Sequence, residues 1–307
     1  MPLIQGQLKQ HTVEFIYGTG IVFDGVRIDN TSTTGPFTFQ TSESVLNGVL
    51  DGCGAGGGGG GGSTSTTEAA GGGGGSSGLS ITDFEVHWPK GGVITVTLGI
   101  AGTGGAAGSA GTNGTDTTVT GLLTNQVSSL SYSGTAGEIR ISGGVAGQAA
   151  TTSGSGVGGG NVLATGGASA TNGATAVNGV SGTEYIKSAF GNVYLMSGAS
   201  GGNASTTVTV AGGAGGGWAI GLLYLGGNGA FASQTTQVGG ENGTASWGGG
   251  GLGGASLFGV PGVGVSTIAT AAANATGFGA GGTGGNGQSA GSNGSPGYLK
   301  LTYWSTN

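Results

Sequence analysis

Charge is what this sequence has least of. Its 307 residues include 6 basic and 12 acidic side chains, so that 6% of the chain is charged, whereas an ordinary globular domain carries about 25%. The basic residues stand singly along the chain, at Lys9, Arg27, Lys90, Arg140, Lys187 and Lys300. Nucleic-acid binding requires a clustered basic surface. The sequence therefore predicts no nucleic-acid partner.

Cysteine is nearly absent as well. Cys53 is the only one, so no disulfide within the chain can compensate for a weak core. Its place between glycines and an apolar strand favours a buried small side chain over a reactive thiol. The first residues lack the basic and apolar regions of a secretory signal peptide, and no apolar run approaches about 20 residues. We expect neither a signal peptide nor membrane insertion.

Residues that serve in catalysis and metal binding are scarce. His11 and His87 are the only histidines; neither has a second histidine at ligand spacing, and we interpret both as strand residues. The Gly-x-Ser-x-Gly matches centred on Ser200 and Ser289 are of a kind expected by chance at this glycine content, and neither lies at a strand-to-helix turn. The sequence predicts no enzyme activity, no metal site and no cofactor.

Glycine is abundant instead. It occupies 81 of the 307 positions, whereas only 5 residues are proline. Collagen requires glycine strictly at every third position with abundant proline, and here the glycines form unphased runs. A disordered linker would lack apolar residues, but 35% of this chain is hydrophobic. Both explanations fail, and we expect the glycine runs to be folded.

The longest glycine runs predict an extended structure. Residues 56–62 and 71–75 are unbroken glycine, which suits neither a helix nor a sheet interior because glycine weakens both. A polyproline-II-like helix has three residues per turn, and its backbone groups are available to neighbouring helices. We predict ordered extended segments at both runs, hydrogen-bonded between segments. The alternative is that each run is a mobile surface loop.

Short strands alternate with the glycine runs. Val13, Phe15 and Tyr17 alternate with polar neighbours, and residues 81–88 and 93–100 show the same period around a Pro-Lys-Gly-Gly turn. The predicted fold class is all-β or irregular. It consists of short antiparallel strands with packed polyglycine-II-like helices and almost no α-helix.

Two parts of the sequence resemble the glycine-rich domain of bacteriophage tail-fibre proteins. The first comprises residues 89–105 and 111–119, and the second comprises 279–287 and 294–304, which end in a Pro-Gly strand. The order of strand, glycine runs and closing strand matches that family over roughly residues 45–304. In some tip adhesins of long tail fibres the glycine runs resemble packed polyglycine-II helices that hold variable recognition loops.

The resemblance implies a structural protein on the virion surface, on a tail fibre or the capsid exterior. We expect a fibre or fibre-tip adhesin that binds the host cell surface. The alternative is an architectural capsid decoration or head-fibre protein with no receptor role. A third interpretation, an ice-binding glycine-rich protein, lacks the regular spacing that a match to a lattice needs.

The resemblance also implies partners. They are other virion proteins, further copies of this chain in a homotrimer, and a bacterial surface polysaccharide or outer-membrane protein. Some tip adhesins instead cap a trimer as single chains, so a monomer is the alternative to the homotrimer.

The sequence predicts two domains of different composition. Residues 1–50 form an N-terminal β attachment domain, and residues 51–307 form a glycine-rich β/polyglycine domain. Carboxylates and phenylalanine are concentrated in the first, and permanent docking requires an apolar face with a few orienting charges. We expect residues 1–44 to face the particle and the loops of residues 180–275 to face outward.

Aromatic residues in the charge-poor region are the candidates for receptor contact. Phe231 and Trp247 lie in polar sequence rich in Gly, Ser, Thr and Gln, where an exposed ring would suit contact with a sugar or a protein loop. Tyr185, Phe190 and Phe258 complete the candidates. Core packing is favoured for Tyr194, Trp218 and Tyr224 because apolar residues surround them in the sequence.

Overall fold

A computed structural model of the chain describes residues 8–29, 32–40, 42, 45–64, 70–122, 138–150, 158–159, 184–188, 192–196, 218–220, 223–225, 250–262 and 272–305. Within these residues the regular secondary structure is all β-strand, and the strands pair antiparallel. The predicted all-β class is confirmed for this part of the chain. No described segment forms a helix that could cross a membrane.

The strands are short and follow one another along the whole chain. They are β1 (Lys9–Ile16), β2 (Gly20–Phe23), β3 (Val26–Asp29), β4 (Phe37–Gln40), β5 (Val45–Cys53), β6 (Ser80–Trp88), β7 (Val93–Thr97), β8 (Thr117–Thr120), β9 (Glu138–Ile141), β10 (Glu184–Ser188), β11 (Asn192–Met196), β12 (Trp218–Ile220), β13 (Leu223–Leu225), β14 (Phe258–Val260), β15 (Thr276–Phe278) and β16 (Tyr298–Ser305).

Two sheets hold most of these strands. The large sheet has the order β10-β11-β6-β5-β16-β1-β2-β3, and the small sheet has the order β4-β7-β8-β9. The strands β12 with β13 and β14 with β15 form separate pairs. In the large sheet β1 lies beside β16, with Lys9 opposite Ser305 and Ile16 opposite Tyr298. The first and last described strands of the chain are therefore neighbours.

The predicted domain boundary between residues 50 and 51 lies within β5. This strand pairs with β16 and β6, and β16 pairs in turn with β1. The strands on the two sides of the boundary thus belong to one sheet.

Both sheets contribute to one hydrophobic core. In β1, Val13 and Phe15 are buried, and their neighbours Thr12 and Glu14 are only partly so, as the alternation in the sequence predicts. Phe15 contacts Phe37 of the small sheet, with ring centroids 6.3 Å apart. The core consists of Val13, Phe15, Ile21, Phe37, Val45, Leu50, Leu79, Ile81, Phe84, Val86, Trp88, Ile94, Val96, Leu98, Val119, Leu122, Ile141, Leu299, Leu301 and Tyr303.

Beyond β5 the chain continues as an extended segment, 54–63, that bonds to three neighbours in rotation. Ten consecutive amides donate to carbonyls over 2.8–3.2 Å, and every third amide reaches the same neighbour. The three neighbours are residues 70–79, 109–115 and 289–295, and each runs antiparallel to the central segment. The hydrogen bonds therefore repeat with a period of three residues instead of the period of two that a β-strand has.

The carbonyls of the central segment follow the same rotation. Those of residues 55–62 accept amides over 2.7–3.0 Å from residues 102–108, 144–150 and 282–285, which run parallel to it. Six neighbours thus surround one chain segment. Hydrogen bonds link the neighbours in a ring, in the order 70–79, 279–286, 289–297, 99–108, 109–117, 142–150 and back to 70–79. We call the seven segments, including 54–63, the glycine bundle.

Close packing explains why the central segment is almost entirely glycine. A Cβ atom at Gly58 would overlap the Thr103 carbonyl, and one at Gly59 would overlap the Thr283 carbonyl. The hydrogen bonding predicted between the runs 56–62 and 71–75 is present, for example from the Gly60 amide to the Gly73 carbonyl at 2.8 Å. Extended chains approach this closely only where side chains are missing.

The bundle continues the strands at one end only. β5 leads into 54–63, β7 into 99–108, β9 into 142–150 and β15 into 279–286, while 70–79, 109–117 and 289–297 lead into β6, β8 and β16. The turns 106–109 and 286–289 and the bonded pair Ser63 and Ala70 lie at the other end. We call this free end the tip, and the opposite end of the sheets the base.

Candidate functional site

The two turns at the tip belong to an internal repeat. Residues 102–115 and 282–295 are identical at nine of fourteen positions, and two more positions exchange Thr for Ser. Each copy is a hairpin of two bundle segments, with the amides of Ser109 and Ser289 donating across the turns to the carbonyls of Ala106 and Asn286. The repeat is visible in the sequence as a 180-residue offset between two Gly-Thr-Gly-Gly motifs, although the predictions above do not include it.

In each hairpin, hydroxyl side chains at every third residue of the return segment accept hydrogen bonds from amides of the outgoing segment. In the first copy the Thr103 amide donates to Thr112 Oγ1 at 2.8 Å. In the second, the Thr283 amide donates to Ser292 Oγ at 2.7 Å. The return segments of both copies therefore need Ser or Thr at this spacing, because an outgoing amide would otherwise lack its acceptor.

The surroundings of the two copies differ. Thr283 and Ser292 are buried, and the Thr283 hydroxyl donates to the Gly262 carbonyl at 2.6 Å. The corresponding Thr103 and Thr112 are exposed. Further chain therefore covers the outer side of the second hairpin, whereas the first hairpin lies at the surface of the bundle.

A further segment, which begins at Gly250, is hydrogen-bonded to the tip. The Gly250 amide donates to Oδ1 of the buried Asn286 at 2.7 Å, and the Gly251 and Gly254 amides donate to the Gly72 and Gly75 carbonyls at 2.9 Å. This segment runs from the tip toward the sheets.

Of the five predicted contact residues, three lie outside the described residues: Phe190, Phe231 and Trp247. The backbone of Tyr185 lies in β10, opposite Leu195 of β11. Phe258 lies in β14, half-buried, and lines a cavity of about 340 Å³ together with residues 256–260, 276 and 277. The structure thus describes the surroundings of one candidate side chain.

Phe258 belongs to an aromatic cluster where the sheets meet the bundle. Its ring lies 5.4 Å from that of Tyr298, and Phe278 stacks on Tyr298 at 4.9 Å. The Tyr298 hydroxyl donates to Glu14 Oε1 at 2.6 Å. Burial raises the pKa of Tyr298 above its usual range, and the hydrogen bond with Glu14 raises it further. These contacts link the β14–β15 pair to the large sheet.

His11 is the centre of the described polar cluster that most resembles a catalytic arrangement. Its Nδ1 lies 2.7 Å from Asp24 Oδ2, and its Nε2 lies 3.1 Å from Ser305 Oγ. This is the order of hydrogen bonds in a Ser-His-Asp triad. Ser305 is only 4% exposed, and the His11 ring stacks between Phe23 and Tyr303. We interpret the cluster as a structural tie between β16, β1 and the turn that follows β2.

Asp24 completes this tie. Its Oδ1 accepts the Thr12 amide at 2.8 Å, and Lys9 Nζ lies 3.8 Å from Oδ2. Partial burial raises the pKa of the Asp24 carboxyl, but the hydrogen bonds from Thr12 and His11 and the charge of Lys9 outweigh it and lower the pKa below its usual value.

The described residues offer little other reactive chemistry. Cys53 is fully buried, and its burial raises the pKa of the thiol well above its usual range, so the thiolate that a reaction would need is disfavoured. No group of three or more His, Cys, Asp or Glu in the described part of the chain is arranged to hold a metal ion.

Comparison with known proteins identifies no relative. No family model matches the chain, and no curated protein shows significant similarity to it.

Proposed function

We propose that this protein is a structural component of a bacteriophage virion, a fibre or fibre-tip adhesin that binds the host cell surface. The proposal starts from the resemblance of residues 89–105, 111–119, 279–287 and 294–304 to the glycine-rich domain of tail-fibre proteins. The observation that carries it is the glycine bundle, in which seven hydrogen-bonded segments support turns at one free end. Such a support suits loops that must be presented to another surface.

We further propose that the bundle segments are polyglycine-II-like helices. Three residues per turn would direct successive amides toward three neighbours, and the amides of 54–63 reach three neighbours in rotation. The left-handed backbone region is occupied in the hairpins only at the turns, by Gly108 with φ +76° and Gly287 with φ +39°.

Trp247 is the first residue to test for receptor contact. It precedes Gly250 by three positions, and Gly250 is bound at the tip through Asn286. Aromatic residues dominate many recognition sites. We expect Trp247→Ala to lower binding to host cells at least tenfold, whereas Phe278→Leu, at the junction of sheets and bundle, leaves it within twofold.

The location is tested on intact particles. Antibodies against the purified chain, followed by gold labelling and electron microscopy, should mark the ends of fibres. Label spread over the capsid would support the architectural alternative, and particles that lack the chain would refute the virion proposal.

The homotrimer stays a prediction. A single chain supplies all seven segments of the bundle, so bundle formation by itself does not require further copies. Light scattering of the purified chain at micromolar concentration distinguishes a trimer of about three times 28.6 kDa from a monomer.

A further inference from the structure

Three grooves of the same construction run along the outside of the glycine bundle. Each lies between a segment parallel to 54–63 and one antiparallel to it. The first groove is formed by 279–286 with 70–79, the second by 99–108 with 289–297, and the third by 142–150 with 109–117. Equivalent backbone hydrogen bonds join the two sides, from the amides of Gly72, Gly291 and Gly111 to the carbonyls of Gly285, Gly105 and Gly147. The three grooves therefore repeat one arrangement around the central segment.

The first groove holds a further segment of the chain, 250–254. The Gly284 amide points into the groove and donates to the Gly251 carbonyl at 2.8 Å. The Gly251 amide donates in turn to the Gly72 carbonyl, on the other side of the groove, at 2.9 Å. The backbone of the added segment thus satisfies polar groups on both sides.

A single glycine makes room for this segment. A Cβ atom at Gly74 would overlap the Leu252 carbonyl, so a side chain at this position would exclude 250–254. Gly74 directly follows a residue whose carbonyl accepts an amide of the central segment. The residues at the same position in the second and third grooves are Asn293 and Asn113.

In those two grooves an asparagine side chain replaces the added segment. The Gly104 amide, at the repeat position of Gly284, donates to Asn293 Oδ1 at 2.8 Å. The Ala146 amide donates to Asn113 Oδ1 at 2.9 Å. The amide oxygen of asparagine is the same kind of acceptor as a backbone carbonyl. Both asparagines are exposed, so each groove ends at the protein surface.

Asp116 repeats this replacement three residues after Asn113. Its Oδ1 accepts the Gly143 amide at 2.8 Å. At the corresponding place in the first groove, the Gly281 amide donates to the Gly254 carbonyl at 2.8 Å. Side-chain oxygens thus substitute for the carbonyls of the added segment at two successive positions of the third groove.

We infer that the residue at position 74, 113 or 293 decides whether a groove of the bundle binds a further extended segment. Glycine leaves the groove open to the backbone of 250–254. Asparagine occupies the groove and supplies the acceptor itself, so the bundle ends there. Unpaired backbone groups at the edge of a β-sheet invite pairing with another chain, and the asparagines remove that opportunity from the bundle. This inference concerns the surface of the bundle and does not depend on the proposed function.

The test converts the first groove into one of the closed type. In Gly74→Asn the new side chain should displace 250–254, and its Oδ1 should accept the Gly284 amide. Exchange of single amides is measured by NMR. The Gly251 and Gly254 amides should exchange at least about tenfold faster than in the wild type, while the Gly284 amide stays protected.

Gly74→Leu is the matched control, because leucine is of similar size but has no oxygen. It should also displace 250–254, and the Gly284 amide should then lose its protection as well. A folded Gly74→Asn protein with wild-type protection of Gly251 and Gly254 would overturn the inference. Equal exchange of the Gly284 amide in the two variants would also overturn it.

A second pair of variants changes the exposed Asn293, where a substitution leaves the centre of the bundle intact. In Asn293→Leu the Gly104 amide should exchange at least about tenfold faster than in the wild type. Asn293→Asp keeps an Oδ acceptor and should retain the protection. Circular dichroism establishes that both variants are folded. Wild-type protection of Gly104 in Asn293→Leu would show that the asparagine does not close the groove.

Discussion

A single methyl group decides whether the centre of the bundle can form. At Gly58 a Cβ atom would overlap the Thr103 carbonyl, which is backbone and cannot rotate away. At Gly25, in the turn after β2, a Cβ atom would meet nothing within 4 Å, although φ is +81°. The first position therefore excludes a side chain by contact, and the second disfavours one only through backbone strain.

We predict that Gly58→Ala prevents folding and that Gly25→Ala is folded but destabilised by about 1–2 kcal/mol. Soluble yield and thermal unfolding followed by circular dichroism measure both. Equal stabilities of the two variants would mean that residues 54–63 are not packed inside a bundle.

The tie around Asp24 predicts how stability depends on pH. The pKa of its carboxyl is lowered from an ordinary value of 3.8, so ionised Asp24 stabilises the folded state above that value, and the stabilisation is lost as the pH falls through the folded pKa.

Asp24→Asn should therefore destabilise the protein near neutral pH, and the difference from the wild type should shrink as the pH falls from about 5 to about 2. Denaturant unfolding at several pH values measures this. A difference that stays constant over the range would show that the carboxylate charge is irrelevant to the tie.

At the scale of elements, the two repeated hairpins provide a comparison within one molecule. Both use a hydroxyl on the return segment to accept an outgoing amide, Thr112 in the first copy and Ser292 in the second. Removing a buried acceptor costs about 1–3 kcal/mol because the amide is left unsatisfied, whereas water can replace an exposed one.

Ser292→Ala should accordingly lower the free energy of unfolding by about 1–3 kcal/mol. Thr112→Ala, on the exposed copy, should lower it by less than about 1 kcal/mol. Denaturant unfolding of both variants tests this, and a larger effect for Thr112→Ala would contradict the assigned burial of the two hairpins.

The N-terminal strands have a role that the sequence pattern did not reveal. β1 lies between β16 and β2, and Val13, Phe15 and Phe37 belong to the shared core. We predict that a chain without residues 1–44 is insoluble, while a chain without residues 1–7, which precede β1, folds normally. Soluble yield and circular dichroism decide between these outcomes. A stable chain without residues 1–44 would show that the glycine-rich part folds on its own.

How far the sequence predicts this fold depends on the range of the interaction. Alternation identifies Val13 and Phe15 as core residues because a strand's period is a local property. The length of the 56–62 run excludes helix and sheet for the same reason. The pairing of β1 with β16 joins residues nearly 300 positions apart, and no local pattern specifies it. The repeat at 102–115 and 282–295 could have been found, because it is visible as self-similarity.

The same distinction between local and long-range interactions applies to the candidate sites. The approach of Asp24 and Ser305 to His11 depends on which strands become neighbours, so it could not be predicted from spacing. Among the receptor candidates, the aromatic contacts of Phe258 likewise arise from tertiary packing with Tyr298.

At the scale of the whole molecule, the two ends have different chemistry. The sheets contain the hydrophobic core, with exposed Trp304 at the base, and the tip consists of uncharged turns on a bundle without flexible side chains at its centre. The tip is suited to presenting loops at a distance. The glycine composition matters for the proposed function because it allows the bundle to pack. Only an ordered bundle can hold the tip at a fixed distance from the sheets.

The most direct test of that order is amide hydrogen exchange along residues 54–63. All ten amides donate to backbone carbonyls, and all ten residues are buried, so exchange should require unfolding of the bundle. We predict protection of every amide in this segment at a level equal to that of β5, measured by NMR or by mass spectrometry of overlapping peptides. Exchange at the rate of an unstructured chain in residues 54–63, with β5 still protected, would contradict the account.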